Sequence, residues 1–292
     1  MSIAIIGFGE VGSIFARDLR AGGEAEITIF DTAFSDPASK ASRNADAAGM
    51  RRAATAAEAA RGAEIVIVAV TAGSDLDAVR SVSGALEHAP FVVDVNSVSP
   101  GTKREAAEIA TAGGGRYVEA AVMTSVPPKG LRSPMLLGGP NAQAFVERMA
   151  PFNMSLTVFS EEIGRASSVK MCRSVMVKGL ETLTTECMLA ARRYGVEKEV
   201  LASLSDTIPH ADWRGLARYI ISRPLIHGRR RAEEMREVAR TVSEVGVAPI
   251  LSGPIADRQD WSAEHGAMLS PEVLATEDLD TLLDAVLATI ER

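Results

Sequence analysis

Cysteine is nearly missing: the 292 residues contain two, Cys172 and Cys187. They stand 15 residues apart in one helical pattern, about 22 Å along an axis that rises ~1.5 Å per residue, too far for a disulfide. A reducing compartment fits. Long apolar runs are missing too. The first, Ile3 to Ile6, is four residues long, and none approaches the roughly 18–20 residues that span a bilayer or follows a basic segment as a leader would. The sequence therefore reads as cytoplasmic, with no membrane partner. A basic excess is also lacking. The net charge of −7 argues against nucleic acid, whose phosphates demand one, and any anion site must be built locally. The four histidines, His88, His210, His227 and His265, lack ligand spacing, so no metal is implied. There is no internal repeat, and an Ala-rich patch at 53–60 reads as ordinary helix.

What is present is globular. Apolar residues make up 47 % and charged residues 24 %, and the length allows two domains with separate cores. The first half alternates short β-branched runs with helical patterns. Ile3–Gly7, Ile27–Asp31, Ile65–Val70, Phe91–Asn96 and Tyr117–Val122 read as buried strands. Val11, Phe15 and Leu19 share a helical face that Gly22 and Gly23 end. This alternation predicts a parallel sheet covered on both faces, a Rossmann-type α/β domain over 1–160. After Val158 strand signals stop. A proline-free helical stretch over about 163–194, ~45 Å long, opens an all-α domain over 161–292 and joins it to the first. A helix of that length cannot bury every side against one small domain, which predicts a homodimer through it. Met235, Val238, Val242 and Val245 form a further stripe ended by Gly246 and Pro249.

The strongest local signal is Gly7-Phe8-Gly9-Glu10-Val11-Gly12 between a strand and a helix. The three glycines serve a tight turn, close approach of a pyrophosphate, and helix–strand packing. Asp31, about 20 residues on at the end of the second strand, suits a ribose 2′-hydroxyl. The cofactor is NAD or NADP. Asp31 favours NAD by repelling a 2′-phosphate, although Lys40 and Arg43 follow it. Thr71 and Ala72 lie where a ligand crosses the sheet edge. In Asp94–Thr102, Ser99 reads as an N-cap and Pro100 as a first-turn residue, while Asn96 and Ser97 offer hydrogen bonds to a nicotinamide or a carboxylate.

Lys170, Ser174 and Lys178 recur every four residues along the long helix, on one stripe. Between 163 and 180 the bases Arg165, Lys170, Arg173 and Lys178 meet no acid. This local cationic patch can hold an anionic small-molecule substrate, and a lysine there can carry a proton. Surface lysines in solvent give the same pattern. His227 and Arg229–Arg231 can reach a cleft and read an acidic substrate; alternatively the arginines pair with Glu233, Glu234 and Glu237 on a solvated face.

The glycine fingerprint, the Asp94–Pro100 segment, the Glu119-Ala120-Ala121-Val122 strand and the Gly164…Lys170 helix occur in that order. The arrangement resembles the β-hydroxyacid dehydrogenases, relatives of 6-phosphogluconate and 3-hydroxyisobutyrate dehydrogenases, over roughly the first 190 residues. The resemblance implies an NAD(P)-dependent oxidoreductase acting on a small hydroxy acid or its carbonyl form. It places the catalytic lysine at Lys170 and the substrate-binding serine of the strand-end motif at Ser97. The second half, especially His227–Arg231, resembles a less-studied C-terminal domain that accompanies such cofactor domains. Two places depart from the family pattern. Ser174 replaces an asparagine, and Met123-Thr124-Ser125 replaces a Ser-Gly-Gly run. The resemblance therefore does not carry the substrate across, and Thr124 and Lys178 are candidates for the missing contacts. Rival readings are an imine reductase, against which Lys170 argues, and a non-catalytic NAD(P)-binding sensor.

Overall fold

The structure, a computed structural model, describes residues 1–23, 25–207, 210 and 212–290. The chain divides into two compact units, Met1–Met171 and Cys172–Arg292.

The first unit is built on an eight-stranded sheet. Its strands are β1 (Ser2–Ile6), β2 (Glu26–Phe30), β3 (Arg51–Arg52), β4 (Ile65–Val68), β5 (Phe91–Asp94), β6 (Arg116–Val122), β7 (Met135–Gly138) and β8 (Leu156–Ser160). The spatial order is β3-β2-β1-β4-β5-β6-β7-β8. The strand order reverses between β1 and β4, and a crevice opens at the carboxyl ends of strands at such a switch. Side chains alternate between the faces because the strand period is two. Ile3, Ile5, Ile27, Ile29, Ile65 and Ile67 pack on one face with Phe15 and Leu19 of α1 (Glu10–Gly22), Ala41 and Ala45 of α2 (Lys40–Ala48), and Phe145 and Met149 near the end of the unit. Ala4, Ile6, Val66, Val68 and Val92 pack on the other. They meet α3 (Ala56–Ala60), α4 (Asp75–Ser83) and α5 (Pro100–Ala112). Both faces are covered, as a parallel sheet requires.

One expectation needs correction. The sheet is not wholly parallel: β7 runs antiparallel to β6. Residues 123–134 between them hold only a short 3₁₀ turn, not a crossover helix, so the chain turns straight back. From β7 the chain returns through α6 (Ala142–Met149) to β8, which lies parallel to β7. β3, β7 and β8, two, four and five residues long, were not among the five strands read from the sequence.

α7 (Arg165–Tyr194) starts in the first unit and ends in the second, so the division falls inside the long helix rather than before it. The second unit is helical. It continues with α8 (Glu197–Thr207), α9 (Trp213–Glu244), α10 (Ser252–Gly266), α11 (Pro271–Leu274) and α12 (Leu279–Ile290). Glycines let α9 and α10 approach closely. A Cβ on Gly228 would lie 2.2 Å from the Gln259 carbonyl oxygen, and one on Gly266 2.2 Å from that of Leu225. Leu225, Ile221, Leu282, Leu283 and Val286 fill this unit's core with Met188 and Leu189 of α7. α9 runs through Pro224 and ends at Glu244, two residues before the left-handed Gly246. Among the described residues no helix is long and apolar enough to cross a membrane.

Candidate cofactor and catalytic site

The turn after β1 is shaped for a phosphate. Gly7 has φ +92°, and a Cβ there would lie 2.3 Å from the Ala69 carbonyl oxygen. At Gly12 a Cβ would lie 2.0 Å from the Gly7 carbonyl oxygen, so α1 presses directly on the turn. Gly9 differs: a Cβ there meets nothing within 4 Å. No packing against protein demands glycine at 9, and the free space lies at the start of α1. Gly9 is also the N-cap of α1, and no side chain caps it. Uncapped first-turn N–H groups with their dipole are an anion cradle. Glu10 is exposed and Val11 half-buried. Phe8 contributes only backbone, since its ring is fully buried against Phe34.

Asp31 is locked to this turn. Its Oδ2 accepts the Phe8 N–H at 2.6 Å and its Oδ1 that of Ala33 at 2.8 Å. A carboxylate has about four acceptor positions, so two remain for ribose hydroxyls. Arg43 donates to the Ala38 carbonyl. The cradle at Gly9, the open helix end and the fixed Asp31 together fit a dinucleotide.

At the ends of β4 and β5 lies a buried polar cluster that the sequence did not announce. Asp94 Oδ1 accepts from Lys103 Nζ at 2.8 Å and from the Asn96 N–H at 2.9 Å; its Oδ2 accepts from the Tyr117 hydroxyl at 2.7 Å. Lys103 and Asp94 are both fully buried. Asn96 Oδ1 accepts the Val70 N–H at 2.8 Å, and its Nδ2 donates to Asp75 Oδ1 at 2.5 Å. One bond at each end of the amide thus joins the exit of β4 to α4, a role that the local pattern could not show. Burial first, and the Asp94 charge second, push the Asp75 carboxyl up to about 8. The same two causes hold the Tyr117 hydroxyl well above the ordinary phenol range. Ser97, the next residue, is half-buried. Ser99 caps α5, accepting the Thr102 N–H at 3.1 Å. Thr71 is exposed, Ala72 begins a 3₁₀ turn, and the exposed Thr124 donates to the Ser125 carbonyl.

Lys170 lies on the first two turns of α7, half-buried and within the first unit. The start of that helix is bonded to Glu119 of β6, a residue whose role local reading missed because its partners lie 45 and 48 positions away.

Ser174 and Lys178 belong to the second unit, and both are buried. Lys178 Nζ is 2.8 Å from Glu234 Oε2 and 3.3 Å from Ser174 Oγ. The cationic patch read from the sequence is therefore opposed at Lys178. The acid comes from α9, 56 positions on, where a local charge count does not look. Arg230 reaches the other oxygen of Glu234 at 3.0 Å. Arg231 pairs with the buried Glu181, and Arg229 with Asp260 and Glu264 of α10. His227 is half-buried on α9. Both cysteines are free and exposed, and the described residues contain no cluster able to hold a metal.

Residues 2–152 match the family model described as "NAD binding domain of 6-phosphogluconate dehydrogenase". Residues 191–262 match "Domain of unknown function (DUF1932)". The chain is 26 % identical over 220 residues to a 3-hydroxyisobutyrate dehydrogenase of Pseudomonas aeruginosa, covering 72 % of this chain and 71 % of that one. A conserved hypothetical protein from Sinorhizobium meliloti 1021 superimposes with a TM-score of 0.73 at 33 % identity, over 99 % of this chain and 96 % of the other. A conserved protein of unknown function, described as structurally similar to 3-hydroxyacid dehydrogenases, gives 0.68 at 31 % identity, over 91 % and 99 %.

Proposed function

Because the chain belongs to the family built on the NAD binding domain of 6-phosphogluconate dehydrogenase, we propose that it transfers a hydride between a nicotinamide cofactor and a small hydroxy acid or its carbonyl form, with Lys170 as the proton shuttle. The observation that carries the reading is one arrangement within the first unit. The dinucleotide cradle at Gly7–Gly12 and a half-buried lysine on α7 belong to the same compact body. When bound, the nicotinamide supplies the acceptor or donor of the hydride. The chain's own residues do the rest. The N–H groups of α1 hold the pyrophosphate, and Asp31 takes the ribose hydroxyls and favours NAD over NADP. Ser97 orients the substrate. Lys170 Nζ takes the hydroxyl proton during oxidation and returns it to the carbonyl oxygen during reduction. The 3-hydroxyisobutyrate dehydrogenase relative supports a 3-hydroxy acid of few carbons as the substrate class. Lys178, neutralised by Glu234, is left to the interior of the second unit. Met176, Leu180 and Leu183, exposed along one face of α7, support a homodimer, which a light-scattering mass of two chains would establish and a one-chain mass would refute.

The test is a panel of small 3-hydroxy acids followed by nicotinamide absorbance. On the best substrate, Lys170→Ala should lower kcat by about 10²–10⁴, the usual worth of a general acid–base group, with cofactor affinity unchanged. Lys170→Arg should not rescue it, because a guanidinium keeps its proton. Full turnover in Lys170→Ala, or no turnover by wild-type protein on any member of the panel, refutes the reading.

A further inference from the structure

α7 begins without a cap of its own. Gly164, the residue before it, has no side chain to give, and its φ of +98° is one that favours glycine. The cap arrives from the sheet instead. Glu119 is fully buried on β6. Its Oε2 accepts the Gly164 N–H at 2.7 Å, and its Oε1 accepts that of Ser167. One carboxylate thus satisfies two amides of the first turn and sets a negative charge against the positive end of the helix dipole.

A serine or aspartate N-cap, the usual device, would travel with the helix. Glu119 belongs to β6, so its two bonds fasten helix to sheet. Burying a carboxylate is costly, and the surroundings are fitted to it. Gly138 is the residue paired with Glu119 on β7, and a Cβ there would lie 2.4 Å from Glu119 Oε2. Gly164 sits against α5, where a Cβ would lie 2.9 Å from Arg104 Nη1 and 3.1 Å from Pro100 Cβ. Every one of these residues is in the first unit, and so is Lys170. Lys170 follows Gly164 by six positions, about one and two-thirds turns or ~9 Å along the axis. Over so short a stretch of helix, fixing the first turn fixes both the height and the rotational phase of the lysine.

We propose that Glu119 is the positioning residue for Lys170: it clamps the start of α7 to β6 and so places the amine relative to the cofactor cradle of the same unit. This rests on the reading of Lys170 as the proton shuttle. Glu119→Gln keeps the shape, but its NH₂ group confronts one of the two N–H donors, so the clamp loses one bond and its charge. Displacements of about 1 Å in a reacting group cost up to ~10²-fold. The variant is therefore expected to lose about 10- to 100-fold in kcat, with KM and cofactor Kd changed by less than about 3-fold, because neither the cradle nor Ser97 is touched.

The deciding measurement is a double-mutant cycle on the best hydroxy acid of the panel. In the Lys170→Ala background, Glu119→Gln should cost no further turnover, since the group it positions is already gone. A helix cap with a purely structural role would lower the melting temperature and leave kcat intact, or would lower kcat by the same factor in both backgrounds; either result overturns the proposal. If Glu119→Gln does not accumulate as folded protein, Gly138→Ala pushes on the same carboxylate oxygen from β7 and carries the same cycle. Full turnover in Lys170→Ala refutes the proton-shuttle reading itself. A loss in Lys170→Ala beside full turnover in Glu119→Gln refutes the clamp alone.

Discussion

Asp75→Asn should make this protein more stable in alkali. As a carboxylate, Asp75 receives one side-chain hydrogen bond, from Asn96, and its Oδ2 has no donor although it is buried. As a carboxylic acid, it can donate that proton to Asp94. Two carboxyl groups here share one ammonium, Lys103, so a proton on Asp75 balances the cluster. Burial and the Asp94 charge raise its pKa from 3.8 to about 8. The sign follows by linkage. The folded state holds a proton that the unfolded chain releases above about pH 4, so the stabilisation is complete below that pH and is lost as pH rises through about 8. At 1.36 kcal/mol per pH unit while the native group stays protonated, the loss between pH 6 and pH 8 is about 2 kcal/mol. Asparagine mimics the acid: its oxygen still accepts from Asn96, and its NH₂ group donates to Asp94. Urea unfolding followed by circular dichroism at pH 6, 7, 8 and 9 should therefore show wild-type stability falling. The Asp75→Asn curve should fall less, so that its difference from wild type widens by about 2 kcal/mol between pH 6 and pH 8. Parallel pH curves for the two proteins would refute the reasoning.

Two further substitutions test other parts of the structure. Gly9→Ala should leave the melting temperature unchanged, because its Cβ meets no protein atom within 4 Å, yet weaken NAD(H) about tenfold or more in a fluorescence titration by filling the pyrophosphate cradle. The same titration should rank NAD(H) above NADP(H). Gly12→Ala, by contrast, should lower the melting temperature before any ligand is added, since its Cβ falls 2.0 Å from the Gly7 carbonyl oxygen. Unchanged NAD(H) affinity in Gly9→Ala would remove the cradle from the site. Glu234→Ala leaves the Lys178 ammonium buried without its carboxylate, which should cost about 3–5 kcal/mol. A loss below about 1 kcal/mol in chemical denaturation would mean that the pair stands in water.

Much of the first unit was legible because its signals are local. The short β-branched runs of Ile and Val, the glycine turn and Asp31 lie close in sequence, and each has a direct geometric reason. The long helix was legible for the same reason, with its start set within two residues. β7 was not, since Met135-Leu136-Leu137-Gly138 has no β-branched residue to mark it as a strand and its direction depends on the loop before it.

The composition and spacing of this chain determined a doubly covered sheet, a dinucleotide turn and a lysine on a long helix, because backbone sterics and side-chain periodicity act between near neighbours. Which polar groups stand open and which are spent was decided only in three dimensions. Asn96 was claimed by Val70 and Asp75, Lys178 by Glu234, and the first turn of α7 by Glu119. Buried hydrogen bonds and ion pairs form between whichever groups the fold brings within about 3 Å, and these partners lie 21 to 56 positions apart, beyond the reach of any local pattern.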